Sequence, residues 1–411
     1  MDFKTFESLR KLLFGEPRIE SWRVLQDLVL HSQLDIDFSK ARDRDSSEYL
    51  RLRILQRFID AIFWIHAKFE LSDIRRVFYS GVKINSPIES NLPLHLQKID
   101  ECHTTSEHFA LYADLGSNIA IGDIIYLMAN DSVFAPVELK GGVVNDEIGS
   151  AIELKRAGNE GPYQELLDDK KKSQQLRRFE RQLKRLEHQT KLYWTHEAIG
   201  DAPKGFPEKG IFKIVAGIGA PNLYEGVLVS LLDDRPSKGW SAETIDDCLE
   251  IFVIRGEQGE VNFKQWAETH EFDGILVDLF DYNLEQTFSR PIVSFSFSNE
   301  VLWELLSGQV SVLFHFSINR YIHKFSDGRV DYKKVSGKRF RKLMQKLPGL
   351  TRFPGDCVIS LKDDETGEFY WTDAMFYRMF GCFEYPSSIH KLLQLALDQH
   401  GVSVASEPDE T

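Results

Sequence analysis

The stretch Ile119-Ala-Ile-Gly-Asp-Ile-Ile-Tyr-Leu-Met128 is apolar throughout except for Asp123. Such a run predicts a β-strand that is buried on both faces. A polar turn at Asn130-Asp131 follows, and the next segment is Ser132-Val-Phe-Ala-Pro-Val-Glu-Leu-Lys-Gly-Gly142. Its side chains alternate with a period of two, which predicts a second strand. Together the two strands form a predicted hairpin.

Three charged side chains are expected at one end of this hairpin. Alternation puts Glu138 and Lys140 on one face, about 7 Å apart along the strand, and pairing of the strands brings Asp123 next to Glu138. An ionised carboxylate in an apolar strand is costly unless a cation or a hydrogen-bonding partner receives it. A divalent cation would do this for Asp123, and so would an arginine from elsewhere in the chain. Two carboxylates and an ammonium group predict a site for a hard divalent cation and an attacking water.

This arrangement resembles the PD-(D/E)XK nuclease superfamily. The motif of that family is an aspartate that opens one strand, followed on the next strand by a glutamate or aspartate, any residue and a lysine. Asp123 matches the aspartate, with Gly122 where the family often has proline, and Glu138-Leu139-Lys140 matches the second half. The resemblance covers about residues 106–232. It implies a restriction-endonuclease-like core, an α/β fold with a mixed sheet, within a chain that is α+β overall.

The same resemblance implies an activity and its cofactor. The expected enzyme is a metal-dependent endonuclease that cleaves phosphodiester bonds, of DNA rather than RNA, in bacterial anti-phage or restriction defence. Asp123 and Glu138 would hold Mg²⁺ or Mn²⁺, with the carbonyl oxygen of Leu139 as a further ligand. Lys140 would orient the attacking water or neutralise charge in the transition state.

Several alternatives stay open at this stage. Glu48, at the start of a predicted helix, and Glu107, at the start of a predicted strand, are both candidates for the upstream glutamate that family members commonly add. Pro136 removes a hydrogen-bond donor from the site strand. A catalytically inactive nuclease-fold subunit, acting as a nucleic-acid-binding or protein-interaction module, is therefore the alternative function. The same acid-x-Lys pattern recurs at Glu153-Leu-Lys155, where it marks a solvated helix face, so a surface hairpin with incidental charges is the other interpretation.

The length, composition and net charge of the chain limit the classes of protein to which it can belong. The chain has 411 residues, too many for one ordinary core, and 42% of them are hydrophobic, as in folded globular proteins. The pattern predicts a helical N-terminal region (1–105), the nuclease-like core (106–240) and an α+β C-terminal domain (241–411). A net charge of −13 is untypical of a generic nucleic-acid binder, so nucleic acid would have to contact a local basic patch. The four cysteines include no Cys-x-x-Cys pair, which predicts free thiols rather than a disulfide framework or a zinc site.

Two basic segments are candidates for that patch. Residues 170–191 carry nine Lys or Arg against two acids, within a helix predicted over 163–194. Leu176 belongs to a narrow apolar stripe on the same helix, so its basic face is either a phosphate contact or a solvated surface. The second segment is 333–342. Three aromatic residues are predicted to act with it: Tyr321, Phe325 and Phe340.

The hydrophobic pattern of the rest of the chain predicts further helices and strands and the cellular compartment. A helix is predicted from a Ser46 or Ser47 N-cap to about Phe78. Other predicted elements are strands at 107–115, 210–219, 249–255, 274–280 and 291–297 and helices at 299–306 and 388–398. Without a long apolar run or a signal-peptide segment, the expectation is a soluble, cytoplasmic protein with no membrane association. A protein partner or activator and an oligomeric state stay open.

Overall fold

The protein is described by a computed structural model, and it belongs to the mixed α+β class. Every described strand pair is antiparallel. None of the described helices is both long enough and apolar enough to cross a membrane. The structure describes residues 1–69, 92–103, 108–117, 119, 123–128, 134–137, 143–169, 172–174, 176–177, 180, 223–270, 272–285, 289–326, 330–346, 357–363, 367–371 and 373–399.

The chain divides into two compact units, Met1–Gly205 (unit 1) and Phe206–Thr411 (unit 2). The predicted boundary after residue 105 lies inside unit 1, and the one after residue 240 lies inside unit 2. The elements of unit 1 are α1 (Phe3–Leu13), α2 (Arg18–Leu34), α3 (Ser47–His66), α4 (Leu92–His103), β1 (His108–Tyr112), β2 (Ile124–Met128), β3 (Phe134–Val137), α5 (Val143–Arg156) and α6 (Gly161–Asp168).

Helix α3 begins where the sequence predicts and ends earlier. The Ser46 hydroxyl accepts the Tyr49 N–H at 3.0 Å, which confirms the predicted N-cap. The helix ends at His66 rather than near Phe78. Lys68 and Phe69 adopt φ values of 50° and 62°, in the left-handed region that stops a right-handed helix.

The hairpin and the strand before it form a three-stranded sheet in the order β1-β2-β3. This confirms the predicted meander of three strands. Asp123, however, is not inside the apolar strand, because β2 begins at the next residue. Pro136 lies on β3 and pairs with Ile125 of β2. Because β3 is an edge strand of the described sheet, the missing N–H of proline is tolerated there.

The free side of β1 is covered by polar side chains of α2. Gln26 donates to the Ala110 carbonyl at 3.0 Å and accepts the Tyr112 N–H at 2.8 Å, as a neighbouring strand would. Arg23 donates to the His108 carbonyl at 3.1 Å. These long-range hydrogen bonds hold the N-terminal helices and the sheet in one unit, which explains why the boundary predicted near residue 105 does not separate two units.

The helices after the hairpin differ from the single long helix predicted over 163–194. Helix α6 ends at Asp168, and Asp169 is extended, with its side chain accepting the Lys172 N–H at 3.1 Å. A second helical segment therefore begins there, and its Leu176 is buried as the apolar stripe predicts. Of the nine basic residues, Lys172 and Arg177 lie within the described part; Lys170, Lys171, Arg178, Arg181, Lys184, Arg185 and Lys191 lie outside it, as does the strand predicted at 210–219.

Unit 2 contains two antiparallel sheets, in the orders β4-β5-β7-β6 and β8-β9-β10. Its elements are α7 (Glu225–Asp233), β4 (Trp240–Ile245), β5 (Leu249–Arg255), α8 (Gly256–Ala267), β6 (Ile275–Asp278), α9 (Leu279–Glu285), α10 (Asn299–Leu306), β7 (Val310–Phe316), α11 (Ile318–Phe325), β8 (Val330–Ser336), α12 (Gly337–Lys346), β9 (Cys357–Asp363), β10 (Gly367–Tyr370), α13 (Asp373–Phe376) and α14 (Pro386–Gln399). The strand predicted at 249–255 and the helices predicted at 299–306 and 388–398 are confirmed. The strand predicted at 274–280 is confirmed over Ile275–Asp278, and its last two residues belong to α9.

Two predictions for unit 2 are wrong. Residues 291–297 form no strand but contain a 3₁₀ turn, Ile292–Ser294. The Asn283 side chain accepts the Ile292 N–H at 2.9 Å and donates to the Arg290 carbonyl at 2.7 Å, so a side chain satisfies groups that a strand neighbour would satisfy. The second error concerns three aromatic residues assigned to a nucleic-acid surface. They are buried, with exposures of 0%, 7% and 5%, and have no free face for a base: Tyr321, Phe325 and Phe340.

Candidate functional site

Asp123 lies at the end of the sheet where β2 begins. Its backbone carbonyl accepts the Ala113 N–H at 3.0 Å, which fixes the chain just before the strand. Its side chain is 24% exposed, so the carboxylate is accessible to a cation and to water. The sequence predicts that this carboxylate is buried within an apolar strand. In the structure it is partly exposed and lies just before the first residue of β2.

The other two motif residues lie outside the described part of the chain. The last described pair of the β2–β3 ladder is Ile124 with Val137. Asp123 directly precedes Ile124 in the chain, and Glu138 directly follows Val137. Lys140 comes two residues later. The structure thus brings the strands that flank the motif together in the antiparallel pairing that the sequence predicts.

A histidine that the sequence analysis passed over lies beside Asp123. His95 comes from α4, the helix that precedes β1, and its Nε2 is 3.9 Å from Asp123 Oδ2. On the other side of the ring, Nδ1 is 3.0 Å from the hydroxyl of the fully buried Tyr112. The Tyr112 ring also packs edge-on against the imidazole, at 5.1 Å between centroids. These contacts orient Nε2 towards the carboxylate.

The separation of Asp123 and His95 can be compared with that of two ligands of one cation. With bonds of about 2.1 Å, octahedral ligand atoms are about 3.0 Å apart when neighbouring and about 4.2 Å apart when opposite, and the observed 3.9 Å lies between the two values. Oxygen ligands alone favour Mg²⁺, whereas an imidazole favours Mn²⁺ or a later transition metal. An imidazole beside the Asp123 carboxylate would therefore shift the expected metal preference from Mg²⁺ towards Mn²⁺.

Of the two upstream glutamates, Glu107 lies outside the described residues. Glu48 is at the start of α3, where its carboxylate accepts the Ser47 hydroxyl at 2.8 Å. The acid of α3 that contacts the β1–β2 connection is Asp60, twelve residues further along the helix, or about 18 Å along its axis. Asp60 accepts the Ser117 N–H at 3.1 Å and also accepts the hydroxyl of the same serine.

Asp60 is part of a buried charge network that supports this end of the sheet. Arg57 donates to Asp60 at 3.2 Å, and both side chains are fully buried. Burial lowers the pKa of Arg57 to about 10, although the carboxylate of Asp60 acts to raise it. Because Asp60 bonds to the connection that leads to Asp123, the network fixes α3 against that connection.

Unit 2 contains a second group of candidate ligands, which no local motif marks. One ligand atom from each of Glu250, His270 and His315 lies within 4.8 Å of the other two. No sequence motif links these three residues, because they lie in separate segments of the chain. Burial acts to raise the pKa of Glu250, but hydrogen bonds from His315 and Arg320 outweigh it, and the pKa lies below its ordinary value.

Comparisons with known proteins add no family assignment. No protein-family model matches the chain, no curated protein matches it, and no solved structure matches it.

Proposed function

We propose that this chain is a metal-dependent nuclease whose site lies at the Asp123 end of the β1-β2-β3 sheet. The observation that carries the proposal is the β2–β3 register, in which Ile124 pairs with Val137. Extending the ladder by one pair would put Asp123 opposite Glu138. Side chains directly opposite each other on antiparallel strands have Cβ atoms about 4.5–5.5 Å apart, which allows both carboxylates to share one cation.

The residues of the site would divide the chemistry among them. Asp123 and Glu138 would hold a divalent cation, with His95 Nε2 as a third ligand. The cation would polarise the scissile phosphate and acidify a bound water. Lys140 would place its ammonium against the phosphate, where a compact point charge neutralises developing negative charge. Tyr112 would hold His95 in its orientation through the Nδ1 contact.

The order of elements gives further support. A helix, three antiparallel strands and a helix (α4, β1, β2, β3 and α5) follow one another in unit 1. This is the order expected of the start of a restriction-endonuclease-like core. The side chain of Asp123 is 24% exposed, so a phosphate could approach its carboxylate from solvent.

A cleavage assay tests the proposal. Supercoiled plasmid, linear duplex, single-stranded DNA and RNA are each incubated with the full chain and with Mg²⁺ or Mn²⁺. We expect metal-dependent cleavage, faster with Mn²⁺, that falls at least about 10³-fold in Asp123→Asn, Glu138→Gln and Lys140→Ala. A loss of that size corresponds to about 4 kcal/mol of transition-state stabilisation.

The chain supplies a matched control for the motif. Glu153-Leu-Lys155 on α5 has the same three residue types as Glu138-Leu139-Lys140, and its Glu153 is exposed. Glu153→Gln should cleave at the wild-type rate. Cleavage that survives in the three motif variants would refute the proposal. Metal-dependent binding of nucleic acid without cleavage would support the inactive nuclease-fold module instead.

A further inference from the structure

Three side chains from separate elements of unit 2 converge at one point. Glu250 is on β5 and His315 is on β7, where the two residues are direct partners in the ladder. His270 follows α8, and Asp273 lies just before β6. The ligand atoms of the glutamate and the two histidines lie within 4.8 Å of one another.

Each carboxylate in this cluster has one oxygen held from outside and one oxygen turned inwards. Arg320 donates to Glu250 Oε1 at 2.9 Å, while Oε2 is 2.7 Å from His315 Nδ1 and 3.4 Å from His270 Nε2. Asn319 donates to Asp273 Oδ2 at 2.7 Å, while Oδ1 is 3.7 Å from His315 Nε2. Outer partners of this kind orient ligands in metal sites.

The inward nitrogens of the histidines lack a hydrogen-bond partner among the described residues. His315 is fully buried, and its Nδ1 lies against a carboxylate, which can only accept, so Nδ1 carries the proton. Its Nε2 then presents a lone pair towards Asp273 Oδ1. His270 Nε2 is buried beside Glu250 Oε2 and likewise forms no hydrogen bond. A buried polar atom without a hydrogen-bond partner is destabilising, and a bound cation would satisfy the Nε2 atoms of both rings.

Aromatic side chains hold the two imidazoles in place. His270 stacks on Trp266 with ring centroids 4.4 Å apart and an interplanar angle of 25°. His315 meets the edge of Phe272 at 4.9 Å and 88°. The rings are therefore fixed before any cation arrives, while the exposures of 22% for His270 and 25% for Asp273 give access from solvent.

We infer that Glu250, His270 and His315 form a binding site for a transition-metal dication, with Asp273 as a fourth donor. Two imidazoles and a carboxylate favour Zn²⁺ and its neighbours over Mg²⁺. In a tetrahedral zinc site with bonds of about 2.0–2.1 Å, ligand atoms are about 3.3 Å apart. Glu250 Oε2 lies 3.4 Å from His270 Nε2, and His315 Nε2 lies 3.7 Å from Asp273 Oδ1; the other ligand atoms of the cluster, up to 4.8 Å apart, would have to approach one another when the ion binds. The site is independent of the nuclease proposal, because it shares no residue with it.

Metal titration of the full chain tests the inference. The protein is dialysed against a chelator and titrated with Co²⁺ and Zn²⁺, with the Co²⁺ d–d absorption band and calorimetry as readouts. The titration is carried out in the Asp123→Ala background, so that the proposed nuclease site does not contribute. We expect one equivalent of Zn²⁺, no displacement by millimolar Mg²⁺, and binding at least about 100-fold weaker in Glu250→Gln and His270→Asn.

Two further variants separate a metal site from a metal-free charge network. Asn319→Ala, which releases Asp273, should weaken binding about 10–100-fold. His323→Gln, on the exposed face of α11, should bind as the parent does. His270 is the more exposed histidine, so its variant is expected to fold, which circular dichroism checks. Absence of Co²⁺ and Zn²⁺ binding by the parent protein, or equal binding by folded His270→Asn, would overturn the inference.

Discussion

Asp60 in unit 1, which is buried, and Glu250 in unit 2, which is partly buried, are two carboxylates whose charges are balanced in different ways. Asp60 is fully buried and pairs with Arg57, three residues away on the same helix. Glu250 is 12% exposed, and its partners His315 and Arg320 are 65 and 70 residues away. Helix α3 alone brings Asp60 and Arg57 together, whereas the contacts of Glu250 form only when β5, β7 and α11 are in place. The Arg57–Asp60 pair therefore depends on one helix, whereas the contacts of Glu250 depend on the packing of several elements.

The largest expected effect tests this difference by removing each charge. Asp60→Asn should lower the free energy of unfolding by about 3–5 kcal/mol, because it removes the negative charge that Asp60 places beside the buried Arg57 guanidinium. Glu250→Gln should cost about 1–3 kcal/mol, because a partly exposed site loses charged hydrogen bonds while water can still reach it. Guanidinium titration followed by circular dichroism measures both.

A surface ion pair with the same spacing as Arg57 and Asp60 serves as the control. Lys98 and Glu101 lie three residues apart at 2.6 Å, with side-chain exposures of 40% and 49%. Glu101→Gln should leave the unfolding midpoint close to that of the wild type, since exposed pairs contribute little. Equal losses in Asp60→Asn and Glu101→Gln would break the comparison.

A smaller effect is expected where a phenol, rather than a carboxylate, holds a histidine. His315 has Glu250 on its Nδ1, whereas His95 has the hydroxyl of Tyr112. Tyr112→Phe removes that contact and frees the His95 ring, so Mn²⁺ binding and cleavage should each fall about 10-fold. The Mn²⁺ dependence of cleavage measures this, with Tyr126→Phe on the adjacent strand as the control. An unchanged Mn²⁺ dependence would show that the orientation of His95 does not matter.

A further expected effect concerns His103, a histidine whose Nε2 does have a hydrogen-bond donor. His103 Nε2 accepts the Ala110 N–H at 3.2 Å, unlike Nε2 of His315. Burial, helped by the charge of Arg23, lowers the pKa of His103 to about 4. The unfolded chain takes up this proton near pH 6.5, before the folded chain does. Stability should therefore fall as the pH drops from about 6.5 to about 4.

The pH dependence of the unfolding midpoint provides the measurement. His103→Gln keeps an acceptor for the Ala110 N–H but cannot be protonated, so its midpoint should vary less between pH 6.5 and 4. His31→Gln, at an exposed position on α2, should keep the wild-type slope. If His103→Gln and the wild type show the same slope, the loss of stability in acid arises elsewhere.

Local pattern was enough for part of this structure. Hydrophobic alternation and a serine N-cap predicted the hairpin and the start of α3, because both are determined within a few residues. The strand β7 was not predicted, although Val310, Val312, Phe314 and Phe316 are all buried in it. The alternation at 291–297 predicts a strand where the structure has a 3₁₀ turn, because the Asn283 side chain, nine residues before Ile292, supplies hydrogen bonds that the local pattern does not show.

The candidate sites also differ in whether their residues are close together in the sequence. The motif residues Asp123, Glu138 and Lys140 lie within eighteen residues of one another, so a sequence pattern can reveal them. His95 and the Glu250 cluster carry no such pattern, because their positions depend on how α4 packs on β1 and how β5 pairs with β7. The packing of helices and strands brings these residues together, and no single segment of the sequence shows that they are neighbours.

The hydrogen bonds between Gln26 and β1 have a consequence for the protein during its synthesis. Gln26 precedes its partner Ala110 by 84 residues, which a ribosome adds in about 4–17 s at about 5–20 residues per second. Helix α2 is therefore synthesised before β1, and Gln26 can offer the new strand a donor and an acceptor before β2 has left the ribosome. One side of β1 can be covered as soon as it is made, so the nascent chain need not expose that edge to neighbouring chains on a polysome.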